Sequence, residues 1–144
     1  MNADAAAFAK AAEDFIGTPF VLHGRSREHG VDCVGLVAGA LEHIGRRPSA
    51  PHSYRLRNAS IAGHLALAAD NGFETVADHP AAPPCRGDLL LVRPGPAQAH
   101  LMIALSARHF VHAHAGLRRV ALHSGKIAWP ILHHWRLCAP NSGN

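Results

Sequence analysis

Cys33 stands directly after an aspartate and at the start of an apolar segment with helical spacing, GVDCVGLVAGALEHIG, residues 30–45. Asp32 is a good N-cap, because its carboxylate can accept a hydrogen bond from an N–H group of the first helical turn. The unpaired N–H groups and the dipole of that turn favour a thiolate, whereas the charge of Asp32 opposes one unless the carboxylate is turned into the cap. This pattern predicts a helix over residues 33–43 with a reactive thiol at its start.

Histidine is the usual base beside a thiol nucleophile, and the chain has 13 of them. Three of these, His100, His112 and His114, lie in AQAHLMIALSARHFVHAHAG, which alternates as two strands of a hairpin. Alternation places all three on one face of the sheet. A three-residue loop would set His100 opposite His114, with His112 on the diagonal. Local geometry therefore predicts a histidine pair but leaves its second member open.

Helices come first along the chain and strands follow. Helices are predicted over residues 3–16, over 33–43 and within SIAGHLALAADNG, residues 60–72. After Gly87 the texture changes to short apolar or alternating runs that predict a meander of strands: DLLLV, HLMIAL, HFVHAH, RRVALH and ILHHWRL. This order favours an α+β fold with an antiparallel sheet, and the length of 144 residues favours a single domain over residues 1–144.

Charge and composition exclude several classes of protein. The net charge of +4 comes from scattered basic residues, which favours a soluble surface over a nucleic-acid groove. No run approaches 18 apolar residues, so no membrane span is expected. The N-terminal segment lacks a basic n-region and a Leu-rich h-region, and synthesis in the cytoplasm without a signal peptide is therefore expected.

The spacing of cysteines and histidines predicts neither a metal nor another cofactor. The three cysteines form no CxxC pair, and HAH is only a fragment of a metal-binding motif. Cys85 follows two prolines and Cys138 ends the last strand, so both are interpreted as structural. A metal site built from the histidines is the weaker alternative at this point.

Three motifs in order resemble the NlpC/p60 cell-wall cysteine peptidases. FIGTPFVLHGRSREHGVDCVGLV is similar to that family's Gly-Thr-Pro-aromatic turn, glycine loop and Asp-Cys-small-Gly-hydrophobic motif. RGDLLLV and AHLMIALSARHFVHA resemble its two later strand motifs, and the ordered set covers about residues 10–137. The closing segment WPILHHWRL is similar to short peptidases in the tails of phages and gene transfer agents.

The resemblance implies a reduced papain-like α+β fold, with N-terminal helices packed on an antiparallel sheet. It implies a triad in which Cys33 is the nucleophile, His100 the general base and acid, and His112 the group that orients the imidazole. The family positions lie twelve apart, as His100 and His112 do, and this spacing selects His112 over His114. The backbone N–H of Cys33 is expected to be one oxyanion donor.

The resemblance also implies a substrate and a setting. The expected substrate is a peptidoglycan stem peptide, cleaved at the γ-D-glutamyl to diamino-acid bond. The expected setting is a virion or a gene-transfer-agent particle, with tail or baseplate proteins as partners.

The sequence departs from the family near the site. Phe20 stands where a tyrosine is usual, and His23 in the same loop is a candidate replacement for the lost donor. Phe20, His23 and Asp32 are therefore assigned to the substrate and oxyanion side of the site, and Val34 replaces a common serine. Two alternatives follow: a catalytically impaired structural or binding module of a tail, and a cytosolic acyl hydrolase or transferase on the same scaffold.

Overall fold

The computed structural model describes residues 3–49, 61–76, 82–96 and 98–139. Its three helices are α1, Ala3–Glu13; α2, Cys33–His43; and α3, Ile61–Asp70. The residue expected to be the N-cap of the third helix, Ser60, lies outside the described residues. The first helix ends three residues before its predicted end at residue 16, because its last hydrogen bonds tighten to i→i+3 and Gly17 turns the chain with φ +95°.

Eight strands complete the described fold, and helices packed on an antiparallel sheet confirm the predicted α+β class. The strands are β1, Arg25–Ser26; β2, Gly30–Val31; β3, Phe73–Thr75; β4, Leu89–Val92; β5, His100–Ser106; β6, His109–His114; β7, Arg119–Ser124; and β8, Ile131–Leu137. β1 and β2 form a small hairpin, and the other six form one sheet in the order β3-β8-β4-β5-β6-β7. The strands β1, β2 and β3 are only two or three residues long and were not predicted from the sequence.

The last strand departs from the predicted meander. β4 to β7 follow one another across the sheet, but β8 returns to pair with both β3 and β4. This position buries Trp135 and Leu137, which are 4% and 0% exposed, in the main core. The return therefore carries the chain from one end of the meander to its other end, across the strands between.

The two faces of the sheet carry different cores. Side chains on one face pack with α1 and α2 in the main core; they include Leu89, Leu91, Leu101, Ile103, Val111 and Ala113. The other face carries a smaller cluster, referred to below as the outer cluster: Leu90, Val92, Met102, Ala104 and Phe110, with Ile127, Trp129 and Ile131 packed against it. His100, His112 and His114 share the alternation of the outer face.

The register of β5 against β6 explains which histidines can meet. A bulge follows Ala104, and the ladder pairs Ala104 with Phe110 and Ile103 with Val111. Continued beyond the ladder, this register is the one in which His100 stands opposite His114 and diagonal to His112. The hairpin therefore leaves the choice of partner to the side chains.

No helix among the described residues is long and apolar enough to span a membrane.

Candidate active site

The first turn of α2 is held by Asp32, which caps the helix as the sequence predicts. One carboxylate oxygen, Oδ1, accepts from the Gly35 backbone N–H at 2.8 Å and pairs with the Arg25 guanidinium at 3.2 Å. The other, Oδ2, accepts from the His23 backbone N–H at 2.8 Å. Asp32 is 2% exposed, so this one buried carboxylate fixes the glycine loop against the start of the helix.

Gly35 is required by the close approach of that loop. A Cβ atom at Gly35 would collide with the backbone oxygen of Gly24, and a Cβ at Gly24 would collide with the oxygen of Gly30. The Gly after the cysteine is thus a packing requirement of the loop that frames the thiol.

Cys33 and His100 line one cavity of about 130 Å³. Its lining consists of Phe20, Leu22, Asp32, Cys33, Pro94, Gln98, Ala99, His100, Ala113 and Ala115. The start of α2 supplies the thiol, and the start of β5 supplies the imidazole. The cavity is small against the several hundred Å³ of pockets that enclose a whole ligand, so only part of a substrate can enter it.

The histidine pair left open by local geometry is His100 with His112. His100 Nε2 lies 2.9 Å from His112 Nδ1, and the ring centroids are 5.2 Å apart. His112 is 4% exposed. The His114 ring centroid lies 5.2 Å from that of His112, and Nδ1 of His114 accepts from the backbone N–H of Leu117 at 3.1 Å. Since Nε2 of His100 is engaged by His112, Nδ1 is the ring nitrogen left for a group in the cavity.

Burial makes the resting site neutral. It raises the pKa of the Cys33 thiol to about 12, with the charge of Asp32 as the second cause, against the opposite effect of backbone N–H groups of Leu101, Val34 and Cys33. It lowers the pKa of His100 to about 3, helped by the positive charges of neighbouring histidines, and that of His112 to about 4. Among the described residues no hydrogen bond joins the Cys33 thiol to the His100 ring.

The expected preference for a thiolate is therefore wrong for the free protein. A helix dipole is worth about 0.3–1 kcal/mol at exposed termini. A single pKa unit corresponds to about 1.4 kcal/mol, so the desolvation of Cys33 outweighs the dipole. Turning Asp32 into the cap does not remove its repulsion either, because its charge remains beside the sulfur.

The residues assigned to the substrate side are placed differently from one another. Phe20 lines the cavity and offers no hydroxyl donor there. His23 is exposed and absent from the described lining, and its backbone N–H donates to Asp32. An ionised carboxylate only accepts hydrogen bonds, so Asp32 shapes the site without donating to an oxyanion. The substrate roles of these three residues stay predictions.

Three further residues near the site were not predicted from the sequence. Gln98 lines the cavity two positions before His100, and a polar residue in the loop before the base was the available signal. His64 of α3 is 2% exposed, hydrogen-bonds the backbone of Ala99, and leaves Nε2 without a partner among the described residues. Trp129 lies against both His100 and His112, and no local pattern indicates this contact.

The two other cysteines lie outside the cavity lining. Cys138 is half-buried and Cys85 is exposed, and the interpretation of both as structural stays a prediction. No group of three or more histidine, cysteine, aspartate or glutamate side chains in the described parts of the chain is arranged to hold a metal ion.

Comparison with known proteins decides the family. The model of the NlpC/P60 family matches residues 17–136. The chain belongs to the NlpC/P60 family. Members are cysteine peptidases or hydrolases, and Cys33, His100 and His112 all fall inside the matched range. A search of the curated proteins finds no match.

Solved structures show the same fold. NlpC1 from Trichomonas vaginalis is similar with a TM-score of 0.69 and 17% identity, over 97% of this chain and 46% of that one, so this chain spans about half of its length. The NlpC/p60 domain of the peptidoglycan hydrolase SagA is 25% identical, with a TM-score of 0.53, over 86% of this chain and 90% of that domain. The peptidoglycan hydrolase RipB from Mycobacterium tuberculosis is 19% identical, with a TM-score of 0.59, over 95% of this chain and 66% of that one.

Proposed function

We propose that this chain is a cysteine endopeptidase that cleaves peptidoglycan stem peptides, with Cys33 as nucleophile, His100 as general base and acid, and His112 as the orienting group. The observation that carries the proposal is a single cavity lined by Cys33 and His100, with His112 hydrogen-bonded to the far side of the His100 ring. Membership of the NlpC/P60 family and the resemblance to two peptidoglycan hydrolases support the substrate class.

The tautomers of the two histidines follow from the direction of proton transfer. His100 must accept the thiol proton on Nδ1, so its own ring proton resides on Nε2. That proton is donated to Nδ1 of His112, which must be the neutral acceptor. The low pKa of His112, about 4, keeps it in this form at neutral pH.

Attack begins from a neutral pair rather than from a preformed thiolate. The Cys33 thiol passes its proton to His100 as sulfur bonds to the scissile carbonyl carbon. The oxyanion that forms is stabilised by the backbone N–H of Cys33 at the start of α2. His100 then protonates the leaving amine, and an acyl-enzyme remains on Cys33. In the second half His100 takes a proton from water as the hydroxyl adds to the acyl carbon. The sulfur of Cys33 then leaves and takes that proton from His100, which restores the neutral thiol and imidazole.

The finer assignment concerns the bond and the setting. We assign cleavage to the γ-D-glutamyl to diamino-acid bond, and we place the chain among tail or baseplate proteins of a phage-like or gene-transfer-agent particle. The resemblance of the motifs supports the bond, and the closing segment WPILHHWRL supports the particle.

Digestion of defined muropeptides, with the products weighed by mass spectrometry, tests the proposal. Wild type should release two fragments whose masses correspond to cleavage of the γ-D-glutamyl bond. Cys33→Ala should release none while keeping the wild-type fold. Cys138→Ala removes another half-buried thiol and should retain activity. Equal digestion by wild type and Cys33→Ala would refute the nucleophile assignment, and cleavage at another bond would refute only the bond.

A second candidate function is a binding module of the tail that keeps the fold without cleavage. Phe20 supplies no phenol to the cavity, and His23 is exposed, which favours this candidate. Such a module would bind purified peptidoglycan in a sedimentation assay equally well as wild type and as Cys33→Ala. It would release no fragment from any muropeptide in either form.

A further inference from the structure

The segment between β7 and β8 runs over the outer face of the sheet, above the histidine pair. This segment, residues 125–130, is called the strap below. At one end the backbone N–H of Gly125 donates to the carbonyl of Arg108 at 2.7 Å. At the other end the backbone N–H of Arg93 donates to the carbonyl of Pro130 at 3.0 Å. The strap is thus fastened to the β5–β6 turn and to the end of β4.

Trp129 of the strap lies against the rings of both His100 and His112. The centroid of its indole lies 6.1 Å from that of His100 and 6.3 Å from that of His112, with interplanar angles of 84° and 62°. Trp129 also packs against the outer cluster, together with Ile127. One indole therefore contacts both rings on the face of the sheet away from the helices.

The charges around the pair give no electrostatic help in orienting it. The ionisable groups that act on the two rings are His64 from α3, His114 from β6 and His123 from β7, and each would add positive charge. Among the described residues no carboxylate receives a hydrogen bond from either ring. The hydrogen bond of the pair joins two neutral groups, and water would compete with such a bond wherever it entered.

We propose that Trp129 is a positioning residue, which excludes water from the hydrogen bond between His100 and His112 and so holds the His100 ring in the pose that receives the Cys33 proton. The inference rests on the proposed function of the site. Trp129 is not among the residues that line the cavity, so it acts through the histidines. The strap thereby couples the unexpected return of β8 to the chemistry.

Solvent exchange of the imidazole proton tests this without substrate. In protein labelled with ¹⁵N at histidine, the His100 Nε2–H should give a protected resonance in wild type and in Trp129→Phe. Exchange should become at least tenfold faster in Trp129→Ala and intermediate in Trp129→Leu, which keeps the apolar packing if the alanine variant fails to fold. Ile127→Ala, from the same strap and the same cluster but without a ring contact to the pair, should exchange as wild type does.

The kinetic measurement is the pH profile of kcat/KM, and the informative part is its acid limb, where kcat/KM falls as the histidines become protonated. Water at the pair lessens the desolvation of both histidines, so the limb should move towards pH 6.5, the usual histidine value, in Trp129→Ala and stay in place in Ile127→Ala. The loss should fall on kcat more than on KM. Wild-type exchange and pH profile in Trp129→Ala, or an equal change in Ile127→Ala, would overturn the inference. If wild type digests no muropeptide, the proposed peptidase function is refuted. The exchange measurement needs no substrate, so it would still decide the role of Trp129.

Discussion

Two partly buried polar clusters lie at opposite ends of the β4–β5 pair, and their charges are balanced in different ways. At one end His100 and His112 form a neutral pair beside the cavity and the Cys33 thiol. At the other end Asp88, which is 0% exposed, accepts from His134 at 2.6 Å and from Arg136 at 2.9 and 3.0 Å. The first is referred to below as the site cluster and the second as the anchor cluster.

The anchor cluster is compensated. Burial alone would raise the pKa of Asp88, but the hydrogen bonds from His134, Arg136 and the Cys85 backbone together lower it. Every described contact of the carboxylate is with a donor, and none lines the cavity. Such an arrangement stabilises the ends of β4 and β8, and its carboxylate is engaged by protein donors rather than offered to a substrate.

In the site cluster no opposite charge offsets the cost of burying the charged forms of its groups. Burial and like charges push the pKa values of His100 and His112 down, while burial and Asp32 push that of Cys33 up. Groups with opposing shifts beside a cavity are typical of functional sites. Both clusters contain a histidine paired to a polar neighbour, so the presence of a pair is not informative. What separates them is access to a cavity and a nucleophile.

The largest expected effect breaks the site cluster alone. His100→Ala should lower kcat/KM on stem peptides by about 10²–10⁴, because it removes the general base. His112→Ala should cost less, since the base survives in a looser pose, and His114→Ala should be nearly neutral. Thermal unfolding would check that the folds remain. A damaging His114→Ala beside a mild His112→Ala would show that the orienting role belongs to the directly opposite histidine.

The next effect breaks the anchor cluster alone. Asp88→Asn keeps the shape of the side chain but replaces an acceptor oxygen with an NH₂ group that faces the donors of His134 and Arg136. Removing one partner of a buried ion pair costs about 3–5 kcal/mol, and the half-exposed Arg136 places this case near about 3 kcal/mol. Urea unfolding measures the loss. The kcat/KM per folded molecule should not change, and a selective loss of activity at full folding would contradict the division into two clusters.

Cysteine labelling sharpens the comparison, because each cluster has its own thiol. Cys33 has a pKa raised to about 12, so its thiolate fraction at pH 7 is small, while Cys85 beside Asp88 is exposed. In the free protein, iodoacetamide should therefore modify Cys85 before Cys33 at pH 7, as peptide mapping would show. The rate at Cys33 should climb as pH rises towards 12. A race that Cys33 wins at pH 7 would mean that its thiol is already ionised.

The same shift has a consequence for stability with a fixed sign. A thiol ionises near pH 9 in the unfolded chain and at about 12 in the folded one, so between these values the folded state holds the extra proton. The free energy of unfolding should therefore fall as pH rises above 9, and Cys33→Ala should lose this part of the fall.

The smallest effect concerns the wall of the site cluster. Phe20→Tyr restores a hydroxyl at a position that lines the cavity and should raise kcat/KM a few-fold. The gain would approach the roughly 2.7–4 kcal/mol of an oxyanion donor only if the hydroxyl reached the developing charge. His23→Ala should change little, because His23 is exposed and outside the described lining. A costly His23→Ala with a neutral Phe20→Tyr would restore the sequence-based preference for His23 as donor.

Local features of the site were predictable from the sequence, because local interactions determine them. Asp32 as a cap and Cys33 as the first residue of α2 follow from capping chemistry and helical spacing. Alternation placed three histidines on one face of a hairpin, and the observed register agrees with the one that a three-residue loop predicts. The twelve-residue spacing of the resemblance then chose His112, which the side-chain hydrogen bond at 2.9 Å supports.

Tertiary structure alone decided the state of the groups and what covers them. The pKa of Cys33 depends on how much protein surrounds the sulfur, and desolvation of this kind sums over elements distant in sequence. β8 pairs with β4 because the apolar side chains of β8 become buried there, and this depends on contacts between segments distant in sequence. A stretch of a few residues does not contain that information. Trp129 reaches His100 from 29 positions away because that return lays the strap across the sheet. Residue types and short spacings therefore determined which reactive groups this chain has. The packing of distant segments decided the pKa values of those groups and which side chains lie against them.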